Sequence, residues 1–140
     1  MKKADRQSIF DKTEGVCFYC GQCLPQRWHA DHFHPVVRNP DGTLLYPERD
    51  NLENMIPACP QCNKLKNSFS MECFRGIIQK FVSSLNLYTN QYKFAKKYGL
   101  VVETEKKVTF WYEDNNYDMT ELNKFKEKAW PKKSQPVIYT

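Results

Sequence analysis

Residues that could do chemistry are concentrated in one stretch, from Cys17 to Asn67. A Cys-x-x-Cys pair lies near each end of this stretch, and all three histidines of the chain lie between the pairs. Cysteine thiolates are ligands for a structural metal, whereas an aspartate beside a histidine offers a ligand for a hard cation and a base that works near neutral pH. The stretch therefore predicts a structural metal site and a second site for chemistry on a charged substrate.

The spacing of the cysteines favours zinc over a disulfide. A Cys-x-x-Cys pair suits Zn²⁺ bound by sulfur at about 2.3 Å, and the long segment between the pairs predicts a small subdomain looped out between them. Two unrelated pairs or a redox site are the alternatives. Cys23 could compete as a ligand, but we expect Cys23 and Cys73 to be small buried hydrophobic residues. The predicted zinc ligands are Cys17, Cys20, Cys59 and Cys62.

Length and composition restrict the class of protein. A chain of 140 residues is long enough for one domain with a modest core. The hydrophobic content of 41% and the aromatic content of 14% exclude a disordered protein. No apolar run of about 18 residues exists, and no apolar segment follows the charged N-terminus, so we expect neither a membrane span nor a secretory signal. The protein is therefore expected to be intracellular, in the cytoplasm, where thiols stay reduced.

A nucleic-acid partner fits both the charge of the chain and its reactive residues. The formal net charge is +5, which helps association with a polyanion but is common in proteins without one. Phosphodiester hydrolysis needs a base for the attacking water and a cation for the leaving oxygen. His32 is suited to be the base, and Asp31 with Asn63 offers hard oxygen ligands for Mg²⁺ or Mn²⁺.

Four elements in a fixed order resemble the HNH endonuclease family. They are the first cysteine pair, Asp-His-x-x-Pro at residues 31–35, Asn-Leu at residues 51–52, and Cys-x-x-Cys-Asn-x-x-Lys at residues 59–66. Each element alone is a weak signal, whereas their ordered combination is specific. The resemblance covers roughly the first half of the chain.

The resemblance implies a fold and a set of roles. The fold is α+β, with a ββα-metal core of the treble-clef-like, His-Me finger type built on a zinc-bound knuckle. Asp31 and Asn63 would hold the catalytic divalent ion, and His32 would be the general base. Asn51 would brace the loop that orients this base. The products would carry 5′-phosphate and 3′-hydroxyl ends.

Three basic side chains are predicted to contact nucleic acid. Lys66 occupies the basic position of the family on the final helix of the core. His34 and Arg38 lie close in sequence to Asp31 and His32, which we call the reactive pair. Each has a plainer alternative, since solvated helix lysines and exposed strand residues are common. His29, two residues before Asp31 and on the same strand face, could support the metal or simply pack.

Residues 1–70 are predicted to form the nuclease core, and residues 71–140 an α/β extension packed on it. Apolar residues at helical spacing predict a helix over residues 70–87 whose apolar stripe belongs to the core. Runs rich in β-branched and aromatic residues at 100–104 and 108–112 predict a β-hairpin. Further helices are predicted over residues 2–13, 91–98 and 119–130.

These patterns together predict a metal-dependent endonuclease that nicks or cleaves DNA, with structural Zn²⁺ and catalytic Mg²⁺ or Mn²⁺. A homodimer would suit cleavage of both strands, although no residue indicates one. The alternative is a zinc-stabilised module that binds nucleic acid without catalysis. Such a module has no evident need for Asp31, His32 and Asn63 together.

Overall fold

The computed structural model describes residues 1–126 of the chain. Two short strands, β1 (His29–His32) and β2 (Met55–Ala58), form an antiparallel sheet. The longer helices are α1 (Lys3–Asp11), α2 (Pro60–Lys66), α3 (Met71–Gln79), α4 (Phe81–Tyr88) and α5 (Asn90–Lys97). The short ones are the 3₁₀ helices Pro47–Arg49 and Leu52–Asn54 and the single turns α6 (Trp111–Asp114) and α7 (Thr120–Asn123). The succession of β1, β2 and α2 confirms the predicted α+β class with its ββα core.

The pairing of β1 with β2 fixes the position of the reactive residues. Asp31 lies opposite Ile56 and His32 lies opposite Met55 in the antiparallel register. Side chains alternate between the two faces of a strand, so His29 and Asp31 share one face and His32 points to the other. Asp31 and His32, although adjacent in sequence, therefore contact different neighbours.

The hydrophobic core is shared between the two halves of the chain. Phe18 is fully buried, and its ring stacks on Tyr112 with centroids 4.8 Å apart. The same ring makes edge contacts with Phe33 and Tyr117. Such aromatic pairs add to the stabilisation that comes from buried apolar area. Aromatic residues of the second half are thus packed on the segment that holds the predicted site.

The single helix predicted over residues 70–87 is in fact two helices, α3 and α4, which meet at Lys80. Phe74 of α3 is buried in the core, whereas Phe81 and Val82 of α4 are each 43% exposed. Helix α4 packs mainly against α3 and α5, and these neighbours leave its apolar side chains uncovered. The prediction that the whole apolar stripe belongs to the core is therefore wrong beyond α3.

The β-hairpin predicted in the second half is also wrong, because residues 101–110 of the described chain contain no strand. Side chains of α3 bind the backbone groups that a hairpin would have paired. Gln79 donates to the carbonyl of Lys106 at 3.0 Å and accepts from the N–H of Val108 at 2.8 Å. Arg75 donates to the carbonyl of Val108 at 2.7 Å. The segment is therefore held against a helix instead of a second strand.

The other predicted helices are present with shifted bounds. The N-terminal helix is α1, and Gly15 donates its N–H back to the carbonyl of Phe10 at 3.3 Å shortly after the helix ends. Helix α5 corresponds to the helix predicted over residues 91–98. Helix α7 covers only the first part of the helix predicted over residues 119–130, because it ends at Asn123; residues 127–130 lie outside the described residues. Within residues 1–126, no helix has the length and apolar character that crossing a membrane requires.

A charged network connects α3 with α6. Arg75 donates to the two carboxylate oxygens of Glu113 at 2.7 and 2.8 Å and to Glu72 at 3.2 Å. The hydrogen bonds from Arg75 lower the pKa of Glu113, and the carboxylates raise the pKa of Arg75. Glu113 also accepts from the N–H of Phe110 at 2.9 Å, so the network fixes the start of α6.

We predict that Glu113→Gln lowers the free energy of unfolding by about 1–2 kcal/mol at neutral pH, since a bidentate charged pair loses one charge. The lowered pKa of Glu113 means that the folded state favours its ionised form. The pair therefore stabilises the fold above the pKa of the unfolded carboxyl group, and this contribution is lost as pH falls through the folded pKa. Urea unfolding at neutral pH and near pH 3 measures both proteins across that range. A stability difference that stays constant with pH would contradict the prediction.

Candidate active site and metal centre

The two cysteine pairs come together as one cluster of four sulfur atoms, all within 4.8 Å of one another. Cys20 Sγ and Cys59 Sγ, for example, lie 4.0 Å apart. Sulfur ligands at about 2.3 Å from a tetrahedral Zn²⁺ are separated by about 3.8 Å, so the cluster matches the ion with little movement. The cluster consists of Cys17, Cys20, Cys59 and Cys62.

Backbone geometry positions these thiols. The N–H groups of Cys59 and Cys62 donate to the sulfur atoms of Cys17 and Cys59, both at 3.4 Å. Cys59 is also the N-cap of α2, so the second pair and the start of this helix are one structure. Gly21 follows the first pair with φ +75°, and a Cβ at this position would lie 2.7 Å from the Trp111 ring. The first turn of the cluster therefore requires glycine.

The thiols of the cluster differ in acidity. A hydrogen bond from the Cys62 thiol, assisted by backbone N–H groups, lowers the pKa of Cys17 to about 4. The same hydrogen bond and burial raise the pKa of Cys62, and burial raises the pKa of Cys20 to about 11. Zinc binds thiolates, so its binding releases the protons that the thiols of the cluster carry. Zinc affinity is therefore expected to fall as pH falls.

The two remaining cysteines are both exposed, so the prediction that they are buried hydrophobic residues is wrong. Cys23 pairs its backbone with Val16 in an antiparallel bridge at the knuckle, and its thiol lies outside the four-sulfur cluster. Cys73 precedes the buried Phe74 on α3 and lies on the solvent side of that helix.

Asp31 is held by two donors. The Tyr19 hydroxyl donates to Asp31 Oδ2 at 2.5 Å, and the Lys66 ammonium lies 3.1 Å from the same oxygen. Burial, together with the nearby Asp31 carboxylate, raises the pKa of Tyr19, so this hydroxyl keeps its proton and stays a donor. Both contacts reach Oδ2, which leaves Oδ1 as the oxygen for a cation.

Lys66 lies beneath the site, away from its surface. The side chain is fully buried, and its ammonium donates to the carbonyl of His32 at 3.1 Å besides pairing with Asp31. This position contradicts the predicted contact of Lys66 with phosphate, because a buried ammonium that is already paired is out of reach of a bound strand. Lys66 instead fixes the carboxylate and the backbone of the reactive pair.

His32 meets Asp50 on the other face of β1. His32 Nε2 lies 2.9 Å from Asp50 Oδ1, and the two side chains are 23% and 53% exposed. An ionised carboxylate can only accept a hydrogen bond, so Nε2 is the donor, and in the neutral ring Nδ1 is the nitrogen with the lone pair. Sequence reasoning missed Asp50, for which the available signal was an acidic side chain in the loop before β2.

Asn63 lies at the middle of α2 and contacts β1. Asn63 Nδ2 and His29 Nδ1 are 2.8 Å apart. Asn63 and Lys66 are three residues apart on the helix and so share the face that covers Asp31 and His29. Asp31 and Asn63, the two predicted ligands of the catalytic ion, therefore both lie at the contact between β1 and α2. His29 lies at the same contact.

A cleft of about 340 Å³ opens beside the reactive pair. Its lining includes Asp31, His32 and the exposed Arg38, together with residues 35–37 and 67–68. Arg38, which the sequence predicts as a contact to nucleic acid, thus contributes a cationic side chain to the lining of the cleft.

His34 lies in a different environment. It lines a separate cavity of about 550 Å³ with Arg49. Burial, together with the charge of Arg49, lowers the pKa of His34 to about 4, so the ring is neutral at physiological pH. A neutral, half-buried imidazole attracts phosphate weakly, and His34 is therefore less suited than Arg38 to the predicted contact with nucleic acid.

The sequence model of the HNH endonuclease family matches residues 17–69. Residues 17–69 are therefore the part of the chain that matches this family, and we refer to them as the HNH domain. The match begins at the first cysteine of the zinc cluster and extends just beyond α2, so the HNH domain includes the cluster, the reactive pair and the cleft. Neither the comparison with curated proteins nor the comparison with solved structures gave a match.

Two asparagines of the HNH domain have different roles in its central loop. Asn54 is fully buried, accepts from the N–H of His34 at 3.0 Å, and donates to the carbonyls of His34 and Arg49 at 2.9 and 2.8 Å. Asn51 is exposed and accepts from the N–H of Glu53 at 2.8 Å, which caps a 3₁₀ helix. The bracing contacts predicted for Asn51 are therefore made by Asn54, whose signal in the sequence was its position directly before a buried strand.

We predict that the purified protein contains one zinc ion per chain and that Cys59→Ser loses it. Because structural zinc contributes folding free energy, this variant should lower the Tm by roughly 10 °C or more. Zinc content by elemental analysis and thermal unfolding measure both effects. Cys73→Ser removes an exposed thiol outside the cluster and should retain both zinc and Tm. Equal zinc content in the two variants would contradict the assignment.

Asn54→Ala should lower the free energy of unfolding by about 2–4 kcal/mol, since it leaves three backbone groups without their buried partner. Asn51→Ala is the matched comparison and should cost about 1 kcal/mol, the usual effect of losing an N-cap. Urea unfolding of both variants measures the difference. If Asn51→Ala were the more damaging of the two, the bracing role would belong to Asn51 after all.

Proposed function

We propose that this protein is a metal-dependent endonuclease that hydrolyses phosphodiester bonds in DNA. The observation that carries the proposal is the placement of Asp31, His32 and Arg38 around one cleft within the HNH domain. HNH domains indicate a nuclease-type function on nucleic acid, and a formal net charge of +5 suits a polyanionic substrate.

His32 is the proposed general base. Asp50 holds the proton on Nε2, so Nδ1 is the nitrogen that takes a proton from the attacking water. The same carboxylate stabilises the imidazolium that results. The activated water oxygen bonds to phosphorus while the bond from phosphorus to the 3′-oxygen breaks. The 3′-oxygen is protonated from solvent, which gives 5′-phosphate and 3′-hydroxyl ends.

Asp31 and Asn63 are the proposed ligands of a catalytic divalent ion, since a carboxylate and an amide oxygen fit Mg²⁺ or Mn²⁺. When bound, the ion supplies Lewis-acid stabilisation of the charge on the phosphate and the leaving oxygen. Tyr19 and Lys66 orient the Asp31 carboxylate through Oδ2. Lys66 also neutralises part of the charge of Asp31, so we expect the ion to bind weakly.

Arg38 is the proposed contact to the phosphate next to the scissile bond. A planar guanidinium binds two phosphate oxygens at once and so fixes orientation as well as charge. Its position at the cleft supports this role.

We predict that the wild-type protein nicks supercoiled plasmid in Mg²⁺ or Mn²⁺ but not in EDTA. His32→Ala should lower the nicking rate by roughly 10²- to 10⁴-fold, the usual contribution of a general base, while retaining plasmid binding. Asp50→Asn should lower the rate less, because His32 remains and loses only its orienting carboxylate. Agarose-gel nicking assays and filter binding at fixed salt measure the two properties.

Two outcomes would oppose the proposal. Binding of plasmid with equal inactivity of wild type and His32→Ala would favour a zinc-stabilised module that binds nucleic acid without catalysis. Equal nicking by the two proteins would show that His32 is not the base. Cys73→Ser should behave as wild type and thus controls for the handling of the variants.

A further inference from the structure

His29 is a metal-competent side chain that the proposed mechanism does not use. The half-buried ring contacts α2, with Nδ1 2.8 Å from Asn63 Nδ2. An amide nitrogen donates hydrogen bonds and does not accept them, so His29 Nδ1 is the acceptor and carries no proton. Its lone pair is therefore directed at the side chain of a proposed metal ligand.

The separation of these two side chains fits ligands of a single ion. Ligand atoms at about 2.0–2.1 Å from an octahedral dication are about 3 Å apart when they occupy neighbouring positions. The observed 2.8 Å is close to that spacing. The nitrogen and oxygen of an amide exchange places when the group is rotated, so Asn63 can present its oxygen where the structure has its nitrogen.

Asp31 lies on the same side of the sheet as His29. The two residues are two positions apart on β1 and therefore point to the same face of the strand. Helix α2 contacts both of them, His29 through Asn63 and Asp31 through Lys66. His32, although it is nearer in sequence to Asp31, points to the other face of the strand and contacts Asp50, and it shares only the lining of the cleft with Asp31. Geometry therefore separates a metal-facing histidine from the proposed base.

We propose that His29 Nδ1 is a third protein ligand of the catalytic ion, and that the site of His29, Asp31 and Asn63 prefers a first-row transition-metal dication such as Mn²⁺ over Mg²⁺. The inference rests on the proposed function for the ion itself. An imidazole nitrogen is a better ligand for transition metals than for Mg²⁺, which favours oxygen. Because Lys66 offsets the single carboxylate, the nitrogen ligand decides which ion is held.

Spectroscopy of bound Mn²⁺ tests the ligand directly and needs no activity. The full-length, zinc-loaded protein is titrated with Mn²⁺, and the loss of the free-ion EPR signal gives the affinity. Electron spin-echo modulation then detects a coordinated histidine nitrogen, and ¹⁵N-histidine labelling confirms its origin. We expect histidine modulation in the wild type, and a loss of this modulation with a roughly tenfold or greater loss of Mn²⁺ affinity in His29→Ala.

His32→Ala is the matched control, since it removes a histidine of the same strand that faces the other way. It should keep the nitrogen modulation and the Mn²⁺ affinity. His29→Gln is the second variant at the site, because its amide can still bond to Asn63 if His29→Ala fails to fold. It should retain the zinc content and lose the histidine modulation. The excess of Mn²⁺ over Mg²⁺ affinity, measured by competition, should shrink in both His29 variants.

Three results would overturn the inference: Mn²⁺ that does not bind the wild type, Mn²⁺ bound without histidine modulation, or modulation that survives in His29→Ala. These results are separable from those of the plasmid assay. Nicking by a protein without nitrogen modulation would refute the role of His29 and leave the endonuclease in place. Histidine-bound Mn²⁺ in a protein that fails to nick would refute the endonuclease and leave the site.

Discussion

A completely buried lysine is the constraint on which the reactive site depends. An ammonium away from water is tolerated only when its charge is paired and its hydrogen bonds are satisfied. Lys66 meets this condition with the Asp31 carboxylate and the carbonyl of His32, both at 3.1 Å, beneath the face of the Tyr19 ring. Helix α2 can therefore pack on β1 only when the reactive pair is in place. The ion pair of Lys66 and Asp31 costs desolvation free energy, but it also specifies the position of Asp31.

The four-cysteine cluster makes this arrangement possible in so small a fold. A sheet of two four-residue strands is marginal on its own, and α2 has only seven residues. Cys59 directly follows β2 and is itself the N-cap of α2, and its N–H donates to the sulfur of Cys17 in the first knuckle. The cluster therefore fixes the start of the helix, and Lys66 fixes its last turn. Asn63 lies between these two anchors, where its position is best defined.

Short sequence patterns predicted those parts of the site that depend on residues close together in the sequence. The cysteine spacing and the order of Asp31, His32 and Asn63 could be read from the sequence, because a metal knuckle and a strand residue pair are short-range features. Partners were missed where they depend on how loops fold: Asp50 lies on a loop 18 residues from His32, and Asn54 gains its role only because its loop closes over His34. The predicted burial of the apolar side chains of α4 was wrong for a related reason. Periodicity shows which residues share a face of a helix but not what covers that face.

Backbone strain is found where the cleft is formed. Val37 has φ +51°, and a β-branched residue in this region costs about 1–2 kcal/mol. The loop holds it there through hydrogen bonds from Leu45 to the carbonyl of Val37 at 2.8 Å and from Tyr46 to the carbonyl of Val36 at 3.0 Å. Arg38 follows at once and forms an isolated β-bridge across the same loop. The strained turn and the bridge fix the backbone of Arg38 beside the cleft that this residue lines. A backbone fixed in advance would lower the entropic cost of the phosphate contact proposed for Arg38.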